Sequence, residues 1–338
     1  MEGPRASRPP LALLLLLFIP SLVHAQLPCN TNAVYAEVGS GLDIKTPNYG
    51  IGPHPPNMTC QYVIRGSNES SRLQIRLLNV DLEEPLFSTC SDYVLIRDGS
   101  TVNAKEILRL CGRAKDITVS SSGSTVYISF TSDDVVSMGG VHLEIREFFE
   151  PGCAPDWQTS DAIGTCYKLY TNRLAFLDAQ RMCSYDRSNI MTTSSQEEYD
   201  FVLNRFGSNV GMHPWFGIND GATEGTFQSI VYKEPMWPLP QPIVAGNTAL
   251  TDCVVFDFAI KEGLVHVSED CNIRHEFICK RNKDGSTHFV AGPRQAIRRG
   301  QMAEVVDLTV WILVIIALIV LLVLFCICCK EWIKRQFI

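Results

Sequence analysis

The chain has 338 residues, a formal net charge of −7 and 13 cysteines. The acidic balance, with no basic stripe interleaved with aromatics, argues against nucleic acid as a partner. Most cysteines lie between two hydrophobic segments, one at each end, in two even-numbered groups. Cys29, Cys60, Cys90 and Cys111 form the first group; Cys153, Cys166, Cys183, Cys253, Cys271 and Cys279 form the second. Even groups behind a secretory leader point to two disulfide-built extracellular modules, and the length between the segments suffices for two domains with their own cores.

The N-terminus reads as a signal peptide over residues 1–25. Arg5 and Arg8 supply a positive start, Leu11 to Ile19 an apolar core, and Val23-His24-Ala25 a small-residue cleavage site before Gln26. The apolar core is too short to span a bilayer.

Residues 29–148 alternate apolar and polar side chains in short runs. Leu73-Gln-Ile-Arg-Leu-Leu, Tyr93-Val-Leu-Ile-Arg and Thr125-Val-Tyr-Ile-Ser-Phe have near period-2 spacing, with Asn-Tyr-Gly, Asp-Gly-Ser and Ser-Ser-Gly between them. The pattern predicts an all-β sandwich. Gly41-Leu-Asp-Ile-Lys-Thr-Pro-Asn-Tyr, Cys60-Gln-Tyr-Val-Ile, Asp92-Tyr-Val-Leu-Ile-Arg-Asp-Gly and Phe130-Thr-Ser-Asp closely resemble a CUB domain. The resemblance implies the pairs Cys29–Cys60 and Cys90–Cys111. It also implies calcium as a ligand-organising cofactor, on Glu83, Asp92 and Asp133. Three carboxylates from separate loops suit a hard cation that takes six to eight oxygens, and they repel one another without it. Asn57-Met-Thr and Asn68-Glu-Ser are expected glycosylation sites.

Residues 153–281 differ in character. Leu174-Ala-Phe-Leu-Asp-Ala-Gln-Arg-Met-Cys and Ser195-Gln-Glu-Glu-Tyr-Asp-Phe-Val-Leu read as amphipathic helices, after which Gly, Pro, Asn and Trp indicate long ordered loops. Cys166-Tyr-Lys-Leu-Tyr, Trp215-Phe-Gly-Ile, Thr223-Glu-Gly-Thr-Phe, Asp252-Cys253 and Glu276-Phe-Ile-Cys279 resemble a C-type lectin-like domain, in the long form because of Cys153. That resemblance implies the pairs Cys153–Cys166, Cys183–Cys279 and Cys253–Cys271; spacing alone leaves the pairing within each group open.

Family members that bind sugar hold calcium with a Glu-Pro-Asn or Gln-Pro-Asp triplet and a later Asn-Asp pair. The matching positions, the first placed by Trp237, read Gln241-Pro242-Ile243 and His266-Val267-Ser268. Isoleucine and valine cannot coordinate calcium, so calcium-coordinated sugar binding is not expected. A second family calcium position is partly retained in Asp220, Glu224 and Asp252, with a fourth ligand falling on Val244. Turn acids that cap loops explain those residues as well.

Residues 282–306 read as a polar stalk carrying Arg294 and the dibasic Arg298-Arg299, a potential cleavage site. Residues 307–329 read as one transmembrane helix. Leu308 to Cys329 holds no charge and is roughly 33 Å long, with Lys330, Lys334 and Arg335 on the cytoplasmic side. Cys326, Cys328 and Cys329 beside Lys330 are candidates for palmitoylation. The tail, residues 330–338, has no tyrosine and no room for a kinase domain.

The expectation is a multi-domain chain: an all-β CUB sandwich, an α+β C-type lectin-like domain and one membrane helix, single-pass type I at the cell membrane. Its expected role is recognition or adhesion through an extracellular protein or cell-surface ligand. A glycan-binding receptor of innate-immune type is the alternative. No His-Glu-x-x-His helix or Gly-x-Ser-x-Gly elbow is present, and the histidines lack metal-ligand spacing, so no enzyme is expected.

Overall fold

The computed structural model describes residues 27–87, 89–209, 211–231, 243–244, 251–257 and 265–289. The leader, Trp237, Gln241, Pro242, the stalk beyond 289, the expected membrane helix with its cysteines, and the tail lie outside the described residues. Among the described residues no helix is long and apolar enough to cross a membrane.

The first module is built from ten strands. They are β1 (Val34–Glu37), β2 (Leu42–Lys45), β3 (Thr59–Arg65), β4 (Ser71–Asp81), β5 (Tyr93–Asp98), β6 (Lys105–Leu110), β7 (Arg113–Ala114), β8 (Ile117–Ser120), β9 (Thr125–Thr131) and β10 (Gly140–Phe149). One sheet has the order β1-β3-β9-β5-β6, the other β2-β10-β4-β7 with β8 also on β4. The three alternating runs read from the sequence fall on β4, β5 and β9. Period-2 spacing puts Leu73, Ile75 and Leu77 of β4 on one face, all fully buried. Opposite them the other sheet contributes Ile64, Ile96, Val126 and Ile128, also buried. At about 25 cal/mol per Å² of apolar area, burying each such side chain contributes about 1.5–3 kcal/mol.

The second module contains β11 (Gln158–Ser160), β12 (Thr165–Leu174), α1 (Phe176–Tyr185), β13 (Asn189–Ile190), α2 (Gln196–Phe206), β14 (Trp215–Asn219), β15 (Gln228–Ser229), β16 (Ile243–Val244), β17 (Cys253–Asp257), β18 (Val265–Glu269) and β19 (His275–Asn282). The strands form one sheet on the path β11-β12-β19-β14-β17-β18-β16. Ser195 caps α2, its hydroxyl accepting the Glu198 amide at 3.1 Å. The apolar face of that helix, Tyr199, Val202 and Phe206, packs on Phe216, Val254, Phe256 and Ile278. Trp215 is fully buried, its indole N–H donating to the Leu174 carbonyl at 2.8 Å.

Five disulfides join Cys29–Cys60, Cys90–Cys111, Cys153–Cys166, Cys183–Cys279 and Cys253–Cys271. Each lies within one module, and each joins the two cysteines that the resemblances pair.

The modules meet through polar contacts. Asp186, at the end of α1, is fully buried and accepts the hydroxyls of Ser120 on β8 and Tyr170 on β12. Arg187 donates to the Ser121 carbonyl at 3.2 Å and to Glu150 at 3.1 Å. Gln74 of β4 donates to the Pro155 carbonyl at 3.2 Å. The Arg281 guanidinium, itself buried, lies 4.6 Å from the Phe148 ring and 5.2 Å from the Trp157 ring. Ring faces attract a desolvated cation, so this side chain fastens the end of one module to the start of the next.

Candidate cation site

Three loops converge at one end of the sandwich. The β2–β3, β4–β5 and β9–β10 connections all leave that end, because Thr59 pairs with Thr131, Tyr93 with Thr131 and Gly140 with Asp81. Glu83 follows β4, Asp92 precedes β5 and Asp133 follows β9. A carboxylate oxygen from each lies within 4.8 Å of the other two, so residues distant in sequence form one acidic cluster.

Burial separates this cluster from ordinary surface acids. Asp92 is 0% exposed. Its Oδ1 accepts the Asp133 amide at 2.8 Å. Its Oδ2 has no donor, and neither does the buried Oε2 of Glu83. His54 Nε2 stands 3.2 Å from Asp92 Oδ2, yet it is no donor. That nitrogen accepts the Met138 amide at 3.1 Å, which places the imidazole proton on Nδ1, 3.1 Å from the Pro55 carbonyl. Both ring nitrogens are thus occupied by backbone groups. Burial holds the Asp92 carboxyl above its ordinary pKa, with the Asp133 amide opposing. A buried carboxylate oxygen without a donor costs free energy that a hard cation recovers.

The loops are laced together behind the cluster. The Asn57 amide donates to the Asp133 carbonyl at 2.7 Å, and Ser132 and Met58 exchange a backbone bond at 2.9 Å. The Met58 amide reaches Ser132 Oγ at 3.1 Å, and that hydroxyl donates to the Pro55 carbonyl at 3.2 Å. Leu86 and Phe87 on one loop, Val135 and Val136 on another and Ile51 on the third are exposed, Ile51 by 92% and Phe87 by 90%.

In the second module Asp220, Glu224 and Asp252 do not form a comparable three-ligand group among the described residues. Asp220 is buried, and its Oδ2 accepts the Gly225 amide at 2.9 Å, while Glu224 points to solvent. Asp220 Oδ1 has no donor. The two positions that hold sugar-binding calcium in related domains are adjacent here. β16 and β18 run parallel, with Ile243 opposite His266 and Val244 opposite Val267. Both expected glycosylation sites, Asn57 and Asn68, are exposed. Asn68 Oδ1 accepts the amide and hydroxyl of Ser70 at 2.9 and 2.7 Å.

Sequence reading missed His54, because nothing in Gly52-Pro-His-Pro-Pro marks a histidine that will sit behind an aspartate of another loop. It also missed Glu198. That carboxylate is 0% exposed, accepting Tyr167 Oη at 2.5 Å and the Ser194 amide and hydroxyl at 2.7 Å, with Lys280 Nζ at 2.8 Å. The Ser-x-x-Glu spacing signals a cap but not burial.

Comparison with known proteins agrees with this division. The CUB domain model matches residues 29–144 and the C-type lectin domain model residues 172–281, so both domain types are present. Cubilin of Sus scrofa is 31% identical over 113 residues, 32% of this chain and 3% of that protein. Neuropilin-1 of Xenopus laevis is 25% identical over 199 residues, 54% of this chain and 20% of that protein. The chain thus spans a small part of the curated relatives it matches. A Ca²⁺-dependent type II antifreeze protein in its Ca²⁺-free form is 22% identical with a TM-score of 0.33, over 38% of this chain and 100% of that one. CUB and C-type lectin domains are typically binding modules rather than enzymes.

Proposed function

We propose that the chain is a single-pass type I cell-surface protein that recognises an extracellular protein through a calcium-organised end of its CUB domain. Glu83, Asp92 and Asp133 hold the ion. The observation that carries this reading is the Asp92 oxygen, fully buried, 3.2 Å from a histidine nitrogen that cannot donate to it. Extracellular modules bind calcium at about 10⁻⁴ to 10⁻³ M, which matches external calcium. The ion fixes three loops relative to one another, so their tips present one surface. The lectin-type domain contributes recognition without coordinating sugar through calcium, since Ile243 and Val267 stand where oxygen ligands are required. Residues 307–329 anchor the chain in the membrane.

Proximity labelling from the full chain on living cells tests the first part. A neighbour labelled by the wild type in calcium and lost with Asp133→Ala is expected; a labelling pattern indifferent to both chelator and that substitution contradicts it. A glycan array in millimolar calcium tests the second. Chelator-sensitive binding competed by free mannose or galactose would reverse that reading.

A further inference from the structure

The end of the sandwich that carries the acidic cluster also carries an asparagine of the Asn-x-Ser/Thr type, in a fixed position. Asn57 lies in the β2–β3 loop at φ +54°, a left-handed conformation that asparagine tolerates. Its amide bonds the carbonyl of Asp133, one of the three clustered acids, at 2.7 Å. Pro55 and Met58 are tied to Ser132, and Pro53, Pro55 and Pro56 stiffen the approach. The Asn57 side chain faces solvent. A modification there starts from a rigid base beside the carboxylates rather than from a mobile loop tip.

The same end bears the apolar tips Ile51, Leu86, Phe87, Val135 and Val136. Isolated exposed apolar residues are ordinary, but several of them on three converging loops around the acidic cluster make a sticky face. Phe87 is four residues from Glu83, so their Cα atoms are at most about 14 Å apart. An N-linked oligosaccharide is bulky and solubilising, and it reaches across a face of that size. Asn68 differs: it follows β3 at the opposite end of the sandwich, where the adjoining Ser70 carbonyl accepts the Glu150 amide at the junction with the second module.

We propose that glycosylation of Asn57 governs access to the acidic end of the CUB domain. With the glycan present, large partners are screened from the carboxylates and the apolar tips; without it, the face is open. This rests on that end being the recognition face, and it adds the device that regulates it.

Chymotrypsin cleavage after Phe87 reports access directly, since exposed loop tips are preferred sites of nicking. The full chain is compared on cells as wild type, Thr59→Ala (the Asn57 sequon lost, Asn57 kept), Thr59→Ser (the sequon kept) and Ser70→Ala (the Asn68 sequon lost). Each is digested in calcium and in chelator, with peptides mapped by mass spectrometry. Cleavage after Phe87 is expected to rise severalfold in Thr59→Ala and to stay at the wild-type rate in the other two. Enzymatic removal of the remaining glycan from folded Ser70→Ala protein should give the same rise, which guards against misfolding of Thr59→Ala. Equal cleavage with and without the Asn57 glycan, or an unmodified Asn57 in the wild type, overturns the inference. A glycan effect that persists while calcium alters cleavage in no variant supports the screen and overturns the cation site instead.

Discussion

Among the described residues, two of the carboxylates that are 0% exposed, Asp92 in one module and Glu198 in the other, have opposite surroundings. Glu198, in the heart of the lectin-type domain, has both oxygens occupied by Tyr167, Ser194 and Lys280. Asp92, at the end of the CUB domain, has one oxygen occupied and the other facing a histidine that accepts rather than donates. Their acidities follow. Burial raises the Glu198 carboxyl, but Lys280 and the hydroxyl and amide donors outweigh it and hold the pKa below the ordinary value. Burial wins at Asp92 and the pKa is raised. A buried charge by itself is therefore no sign of a site. The informative feature is a buried oxygen left without a donor, next to a second one, as Asp92 Oδ2 and Glu83 Oε2 are.

The contrast breaks most easily at Glu198. Glu198→Ala leaves the Lys280 charge, mostly buried, without its partner, a change that costs about 3–5 kcal/mol. Thermal unfolding of the full chain should show this loss in the transition of the lectin-type domain, with or without calcium. A cost below about 1 kcal/mol, the level of a surface ion pair, would mean that Glu198 is not held as described. The pH dependence has a definite sign. A carboxyl whose folded-state pKa lies below its unfolded value of about 4.3 contributes stability above that pH and loses it as pH falls through the folded-state value. Stability of this domain should therefore fall on acidification below about pH 5, and Glu198→Gln should remove part of that slope.

The junction is the next target. Arg281 is held by two rings, with Asp186 and Glu150 as the nearest opposing charges, and burial still pulls its pKa below the ordinary value. Arg281→Ala should cost about 2 kcal/mol, and Arg281→Lys should recover little because a planar guanidinium is what stacks on the rings. Full rescue by lysine in a melting experiment would show that charge alone holds the modules together.

Smaller effects sharpen the comparison at the cation end. At about 1 mM calcium, a site with a dissociation constant of about 10⁻⁴ to 10⁻³ M stabilises the folded state by about 0.4–1.4 kcal/mol. Asp133→Ala should abolish that gain, and a retained calcium response would remove Asp133 from the site. Asp252→Ala is expected to leave the calcium response unchanged, because Asp220, Glu224 and Asp252 do not converge among the described residues. A loss of response there would move the ion to the lectin-type domain.

The alternation in β4, β5 and β9 and the two amphipathic helices α1 and α2 were legible in the sequence, since each depends on neighbours a few residues away. Motif positions likewise nominated Glu83, Asp92 and Asp133. What could not be read was which acids meet and what faces them. Glu198 and Glu83 are both acids beside apolar residues, yet one is satisfied by a lysine from β19 and the other stands open. His54, Asp186 and Arg281 act across 38, 66 and 133 residues of chain, on Asp92, Ser120 and Phe148. Only the folded chain sets such pairings.

The most direct test of the central claim is a lanthanide-soaked crystal of the protein measured at the metal's absorption edge. An anomalous peak is expected between Glu83, Asp92 and Asp133, with carboxylate oxygens of all three at about 2.3–2.6 Å, the range for calcium. A map with no peak between those carboxylates, or with its only peak at Asp220 and Asp252, would contradict it.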